Sequence, residues 1–113
     1  MIEQIYPGDF ASWLEKARAH GQPILLDVRE PSELQVARIQ PEGVTVVHIP
    51  MGVIPPRLHE LDPARPIACL CHHGARSMRV AAFLEQQGFG HVANITGGIN
   101  AWSMQVDPRV PRY

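Results

Sequence analysis

Short apolar runs separated by stretches of helical spacing set the rhythm of this chain. The runs PILLDV (23–28), VTVVHI (44–49), PIACLC (66–71) and HVANI (91–95) are continuously apolar or nearly so, with little alternation. Continuous apolarity means that both faces of a strand are covered, as in a parallel sheet packed between other elements. Between the runs the period lengthens. Phe10, Trp13, Leu14 and Ala17 follow the i, i+3, i+4, i+7 pattern of one buried helical face, which predicts a helix from Asp9 as N-cap to about His20, closed by Gly21. Pro31 suits the first position of a short helix containing Leu34 and Ala37, and PPRLHEL after the second run reads as one or two proline-started helical turns. Residues 75–87 predict the strongest helix, with Val80, Phe83, Leu84 and Gln87 on one stripe and Gly88 as C-cap. Gly97 and Gly98 predict a tight turn, INAW a single helical turn, and the proline-rich stretch 103–113 an irregular strip along the surface.

Strands alternating with helices argue for an α/β fold with a mainly parallel sheet. At 113 residues the chain reads as one domain, 1–113, of which 103–113 is a surface tail. A net charge of −1 with 19% charged residues gives no basic footprint for nucleic acid or an anionic membrane surface. The first residues lack the basic start and apolar core of a signal peptide, and no apolar run approaches the roughly 20 residues of a membrane span, so a cytoplasmic location is the expectation. Cys69 and Cys71 would face the same way on a strand and close only a tiny, strained ring, which predicts two reduced thiols.

The chemistry concentrates in CHHGARS, 71–77, which places Cys71 at the carboxyl end of an apolar strand, just before the strongest helix. Ligands of parallel sheets gather at that end. A loop curling round the sulfur would aim its backbone N–H groups and the first helical turn at one point, with Gly74 free to take any left-handed angle the curl requires. Such a field favours a thiolate, and Arg76 beside it is shaped to hold an oxyanion.

This strand, cysteine, loop, arginine and helix resemble the rhodanese family of sulfurtransferases. LLDVREPSE (25–33) is similar to the family's strand, aspartate, arginine and short helix, CHHGARS to its active-site loop, and GGINAW (97–102) to its closing motif. The resemblance implies a central, mainly parallel sheet with helices on both faces. It also implies a two-step transfer in which the Cys71 thiolate takes sulfane sulfur from a thiosulfate-like donor and carries it as a persulfide to cyanide, a thiol or a protein cysteine. The N–H groups of His72, His73, Gly74, Ala75 and Arg76 would cradle the sulfur, and Arg76 would meet the oxyanion. Asp27, Arg29 and Ser77 would support the loop. No cofactor or metal is implied, neither nucleic acid nor membrane is an expected partner, and a monomer or weak homodimer is the expected state. One departure from the family pattern is Arg38 in ARIQPEG, where many members have histidine.

Other readings compete. A cysteine phosphatase or arsenate reductase uses the same thiolate and arginine, but on a loop one residue longer than the four residues, His72 to Ala75, found in this chain. A metal site of Cys69, Cys71, His72 and His73 would need adjacent residues to reach the corners of one tetrahedron. A rhodanese-like sulfur carrier or protein-binding module would keep the fold and act by contact. Cys69 itself reads as a small buried hydrophobe or, less simply, as a resolving thiol.

Overall fold

The computed structural model describes residues 2–113. Five parallel strands form one sheet: β1 (Glu3–Ile5), β2 (Ile24–Asp27), β3 (Thr45–His48), β4 (Ile67–Leu70) and β5 (Val92–Ile95), in the order β1-β5-β4-β2-β3. Five α-helices accompany them: α1 (Phe10–Ala17), α2 (Pro31–Val36), α3 (Ile54–Arg57), α4 (Ala75–Gln86) and α5 (Gly98–Gln105). Alternation along the central strands divides the core in two. Leu25, Ala68, Leu70, Ala93 and Ile95 pack with Phe10, Trp13, Ile99 and Trp102 of α1 and α5. Ile24, Leu26, Ile67, Cys69 and Cys71 pack on the other face with Ile54 of α3 and Val80, Ala81 and Leu84 of α4. Helices on both faces and a parallel sheet are therefore what the buried apolar runs foretell.

Topology fixes where a site can form. After β2 the chain crosses to β3 at one edge, and after β4 it crosses to β5 on the other side, so the order reverses between neighbours β2 and β4. A crevice opens outside the carboxyl ends of two such strands. Asp27 ends β2 opposite Leu70, which ends β4, and Cys71 follows directly.

Several elements differ from expectation for identifiable reasons. Strand β1 carries no apolar run, because it is three residues long, lies at a sheet edge and buries only Ile5. Helix α1 ends at Ala17, since the last turn tightens into i→i+3 bonds, Ala19 N–H to Lys16 and His20 N–H to Ala17. Ala37 lies outside α2 in extended backbone, where its side chain enters the α1 face of the core. Gln87 is exposed beyond α4, whose buried stripe is Ser77, Val80, Ala81 and Leu84. Helix α5 runs eight residues and takes in Ser103–Gln105, because the first proline of the tail comes only at Pro108. The rest of the tail is pinned: Ser103 Oγ donates to the Val110 carbonyl at 2.6 Å and Val110 is buried. Arg38, at the position of departure, is exposed between buried Ala37 and Ile39. Among the described residues no helix is long and apolar enough to cross a membrane.

Candidate active site

Cys71 sits at the bottom of a tight curl, 1% exposed, with two polar groups on its sulfur. Gly74 N–H donates to Sγ at 3.0 Å, and Ser77 Oγ lies 3.2 Å from it. The curl needs Gly74 at φ +107°, and a Cβ there would come within 3.2 Å of the Gly97 nitrogen. Helix α5 holds the curl from behind. Ile99 N–H donates to the Cys71 carbonyl at 2.8 Å and Asn100 N–H to the His72 carbonyl at 3.1 Å. That approach is close enough to require Gly98, at φ +62°, since a Cβ would stand 2.5 Å from both carbonyl oxygens. With these carbonyls drawn to α5, the sulfur is left facing the Gly74 amide and the amino end of α4. The first-turn N–H groups of a helix have no intrahelical acceptor, and the helix dipole is positive at that end.

A profile of the rhodanese-like domain matches residues 10–105. The chain belongs to the rhodanese-like domain family. It is 40% identical over 80 residues to a sulfurtransferase of Allochromatium vinosum, covering 71% of each chain. It is 43% identical over 89 residues to the chloroplastic rhodanese-like/PpiC domain-containing protein 12 of Arabidopsis thaliana, covering 79% of this chain but 30% of that one. A rhodanese-related protein from Thermoplasma volcanium superposes with a TM-score of 0.75 at 27% identity, over 98% of this chain and 99% of that one.

Beyond the sulfur, this rhodanese-like domain carries two polar networks. In the inner one Ser77 Oγ is 2.6 Å from Asn94 Oδ1, and Asn94 Nδ2 donates to the Gly74 carbonyl at 3.3 Å and to Gln4 Oε1 at 3.2 Å. The outer one runs from the sheet to the loop's rim. Arg29, 0% exposed, binds Asp27 through Nε (2.9 Å) and Nη2 (2.7 Å). Arg29 Nη1 donates to Tyr113 Oη at 3.0 Å, Tyr113 Oη donates to Glu33 Oε2 at 2.7 Å, and Glu33 takes both Arg76 Nη groups, at 2.6 and 2.8 Å. Arg76 holds the Glu33 carboxyl far below the usual carboxylate range, and the same pair raises Arg76. The Tyr113 ring stacks on His72 at 3.8 Å and 4°, and His72 in turn lies 3.8 Å from His73. Burial, then His73, lowers the pKa of His72, which favours its neutral form.

The residues singled out in the sequence thus divide. Cys71, Gly74 and Ser77 meet at the sulfur, His72 and His73 form the rim, Ala75 opens α4, and Arg76 pairs with Glu33. Two of the five Arg76 N–H donors are engaged there, which leaves three outside the pair. Asp27 and Arg29 reach Arg76 through Glu33 and Tyr113. Sequence reasoning missed Glu33, Asn94 and Tyr113. A polar Asn94 within an otherwise apolar buried strand was the one legible signal among them. Cys69 is 0% exposed in the apolar cluster beneath α4, and burial pushes its thiol far up. Among the described residues no three His, Cys, Asp or Glu side chains gather into a metal-binding group. A cavity of about 270 Å³ beside the stacked His20 and His91 lies at the opposite, amino-terminal end of the strands.

Proposed function

We propose that this chain is a sulfurtransferase that moves sulfane sulfur through a Cys71 persulfide. The Cys71 thiolate attacks the outer sulfur of a thiosulfate-like donor, a new S–S bond forms, and the donor's S–S bond breaks with its electron pair leaving on sulfite. The acceptor, a small thiol, cyanide or a protein cysteine, then attacks the terminal sulfur and Cys71 leaves as thiolate. The observation that carries this reading is the arrangement at Sγ: one sulfur atom at a strand end, an amide donor at 3.0 Å, a hydroxyl at 3.2 Å and a helix amino end beside it. The Gly74 amide and the helix amino end, fixed before the reaction, stabilise the anionic sulfur that forms in each step. Arg76, held at the rim by Glu33, meets the sulfonate with its remaining N–H groups.

The sulfurtransferase name of the Allochromatium relative supports the same chemistry, as does the match to the family profile. The test is sulfite release from thiosulfate. Without an acceptor, a burst of one sulfite per Cys71 is expected, followed by turnover when cyanide or a small thiol is added. Turnover without a burst capacity would point to direct transfer between the two small molecules. No sulfite in either phase would remove thiosulfate as donor and favour the carrier or binding-module reading.

A further inference from the structure

The hydrogen bonds around Cys71 fit one state of the sulfur and not the other. Ser77 has one hydroxyl proton and three acceptors in reach: Asn94 Oδ1 at 2.6 Å, Cys71 Sγ at 3.2 Å and the Gly74 carbonyl at 3.2 Å. The Gly74 carbonyl already accepts from Met78 N–H at 3.1 Å and Asn94 Nδ2 at 3.3 Å, which fills its two lone pairs. That carbonyl can only accept, so the Asn94 amide is oriented with its nitrogen there and its oxygen toward Ser77. The Ser77 proton therefore belongs to Asn94 in this arrangement. Its oxygen then offers Cys71 a lone pair, which suits a protonated thiol and is wrong for a thiolate.

We propose that the Ser77 hydroxyl is a two-position switch, and that Asn94, its second acceptor, is a positioning residue that sets how tightly the empty Cys71 thiolate is held. When Cys71 loses its proton to solvent, the hydroxyl rotates from Asn94 to Sγ. No proton changes owner at Ser77. When sulfur is loaded, Sγ becomes a neutral divalent sulfur, a poor acceptor, and the hydroxyl returns to Asn94. The loaded half of this cycle rests on the sulfur-transfer reading; the thiol half does not. By competing for the proton, Asn94 keeps the thiolate under-solvated. The empty enzyme is thereby kept nucleophilic, and the balance is tilted toward the loaded form.

Asn94 is buried, and its other contacts, Gln4 and Gly74, are uncharged. The titratable and charged groups around Cys71 are Cys69 on β4, His72 and His73 in the loop, and Arg76 on α4, with Glu33 of α2 and Tyr113 beyond Arg76. None of them bonds to Ser77 or Asn94, so a change at Asn94 reaches the sulfur through the hydroxyl. Without Asn94 the Gly74 carbonyl regains a lone pair, but a neutral carbonyl draws the proton less strongly than a thiolate does.

The test is the pH profile of Cys71 alkylation by iodoacetamide in the intact chain, which needs no sulfur donor. In Asn94→Leu the midpoint is expected to fall by on the order of one pH unit, the effect of one added donor on an anion. In a Ser77→Ala background the same substitution should leave the midpoint where it was. An unchanged or higher midpoint in Asn94→Leu, or a shift that persists without the hydroxyl, overturns the proposal. Should Asn94→Leu not fold, Asn94→Asp serves: its carboxylate holds the Ser77 proton harder, the midpoint rises, and part of that rise disappears with Ser77→Ala. A rise of equal size in both backgrounds overturns it. Loading from a fixed thiosulfate and sulfite mixture gives the second reading, with about a tenfold shift toward the empty form in Asn94→Leu. A chain that shows the alkylation shift but loads no sulfur keeps the switch and loses the transfer reading.

Discussion

Cys69 and Cys71 differ less than their chemistry suggests. Both side chains lie in the same apolar cluster beneath α4, and their exposures are 0% and 1%. What separates them is the strand's end. Cys69 is inside β4, where the backbone groups are committed to β2 and β5 and the neighbours are apolar. Its thiol is pushed up by burial, and the nearby Cys71 adds to that. Cys71 is one step past the ladder, where the chain curls and a free amide and a hydroxyl reach the sulfur. With exposures so alike, the difference between the two sulfurs is the pair of polar atoms at 3.0 and 3.2 Å from Cys71 Sγ.

The largest test of that contrast is to remove each sulfur in turn. Cys71→Ser should abolish turnover, while Cys69→Ser should keep it within about twofold and lower stability by about 1–3 kcal/mol, the cost of a buried hydroxyl without a partner. Urea unfolding beside steady-state rates separates the two effects. Equal kinetic losses would revive Cys69 as a resolving thiol.

Next in size is the back of the curl. Gly98→Ala puts a Cβ 2.5 Å from the Cys71 and His72 carbonyls, and displacing them moves the donors off the sulfur. A turnover loss of about 100-fold is expected, as for other misplacements of about an ångström, with both cysteines still reduced. A smaller step concerns Arg76. Arg76→Ala should weaken kcat/KM for thiosulfate about tenfold more than for an uncharged persulfide donor, since a charge-assisted contact serves only the anion. Equal losses would mean that Arg76 shapes the loop through Glu33 and does not meet the sulfonate.

The smallest effect is a pH dependence at the rim. Arg76 depresses the folded-state pKa of Glu33, so Glu33 stabilises the native state fully above its unfolded value, about 4.3, and less as acid is added toward the depressed folded value. Wild type should therefore exceed Glu33→Gln in stability by a constant margin from neutrality to about pH 5, and the margin should shrink below about pH 4. Thermal unfolding across that range measures it.

Four of the five strands were legible because their burial on both faces leaves continuous apolar runs, and CHHGARS was legible because its residues are contiguous. Strand β1 was not, having one buried side chain and borrowing its hydrogen bonds from β5. The outer end of α5 was hidden by the composition of the tail that follows it. Glu33 and Tyr113 were hidden for a different reason: the pair that positions Arg76 joins residues 43 positions apart, and the tyrosine that bridges it lies 80 positions from Glu33. No local pattern encodes a contact of that kind. Asn94 lay between the two cases, a polar side chain in an apolar strand whose partner only the packing of α4 on β5 reveals.

The most direct test of Cys71 as the sulfur carrier is the intact mass of the purified chain after incubation with thiosulfate, beside Cys71→Ser and Cys69→Ser. A gain of one sulfur atom in the wild type and in Cys69→Ser, absent in Cys71→Ser and reversed by reductant, is the predicted result. A gain that follows Cys69, or none at all on a folded chain with a free Cys71 thiol, would contradict it.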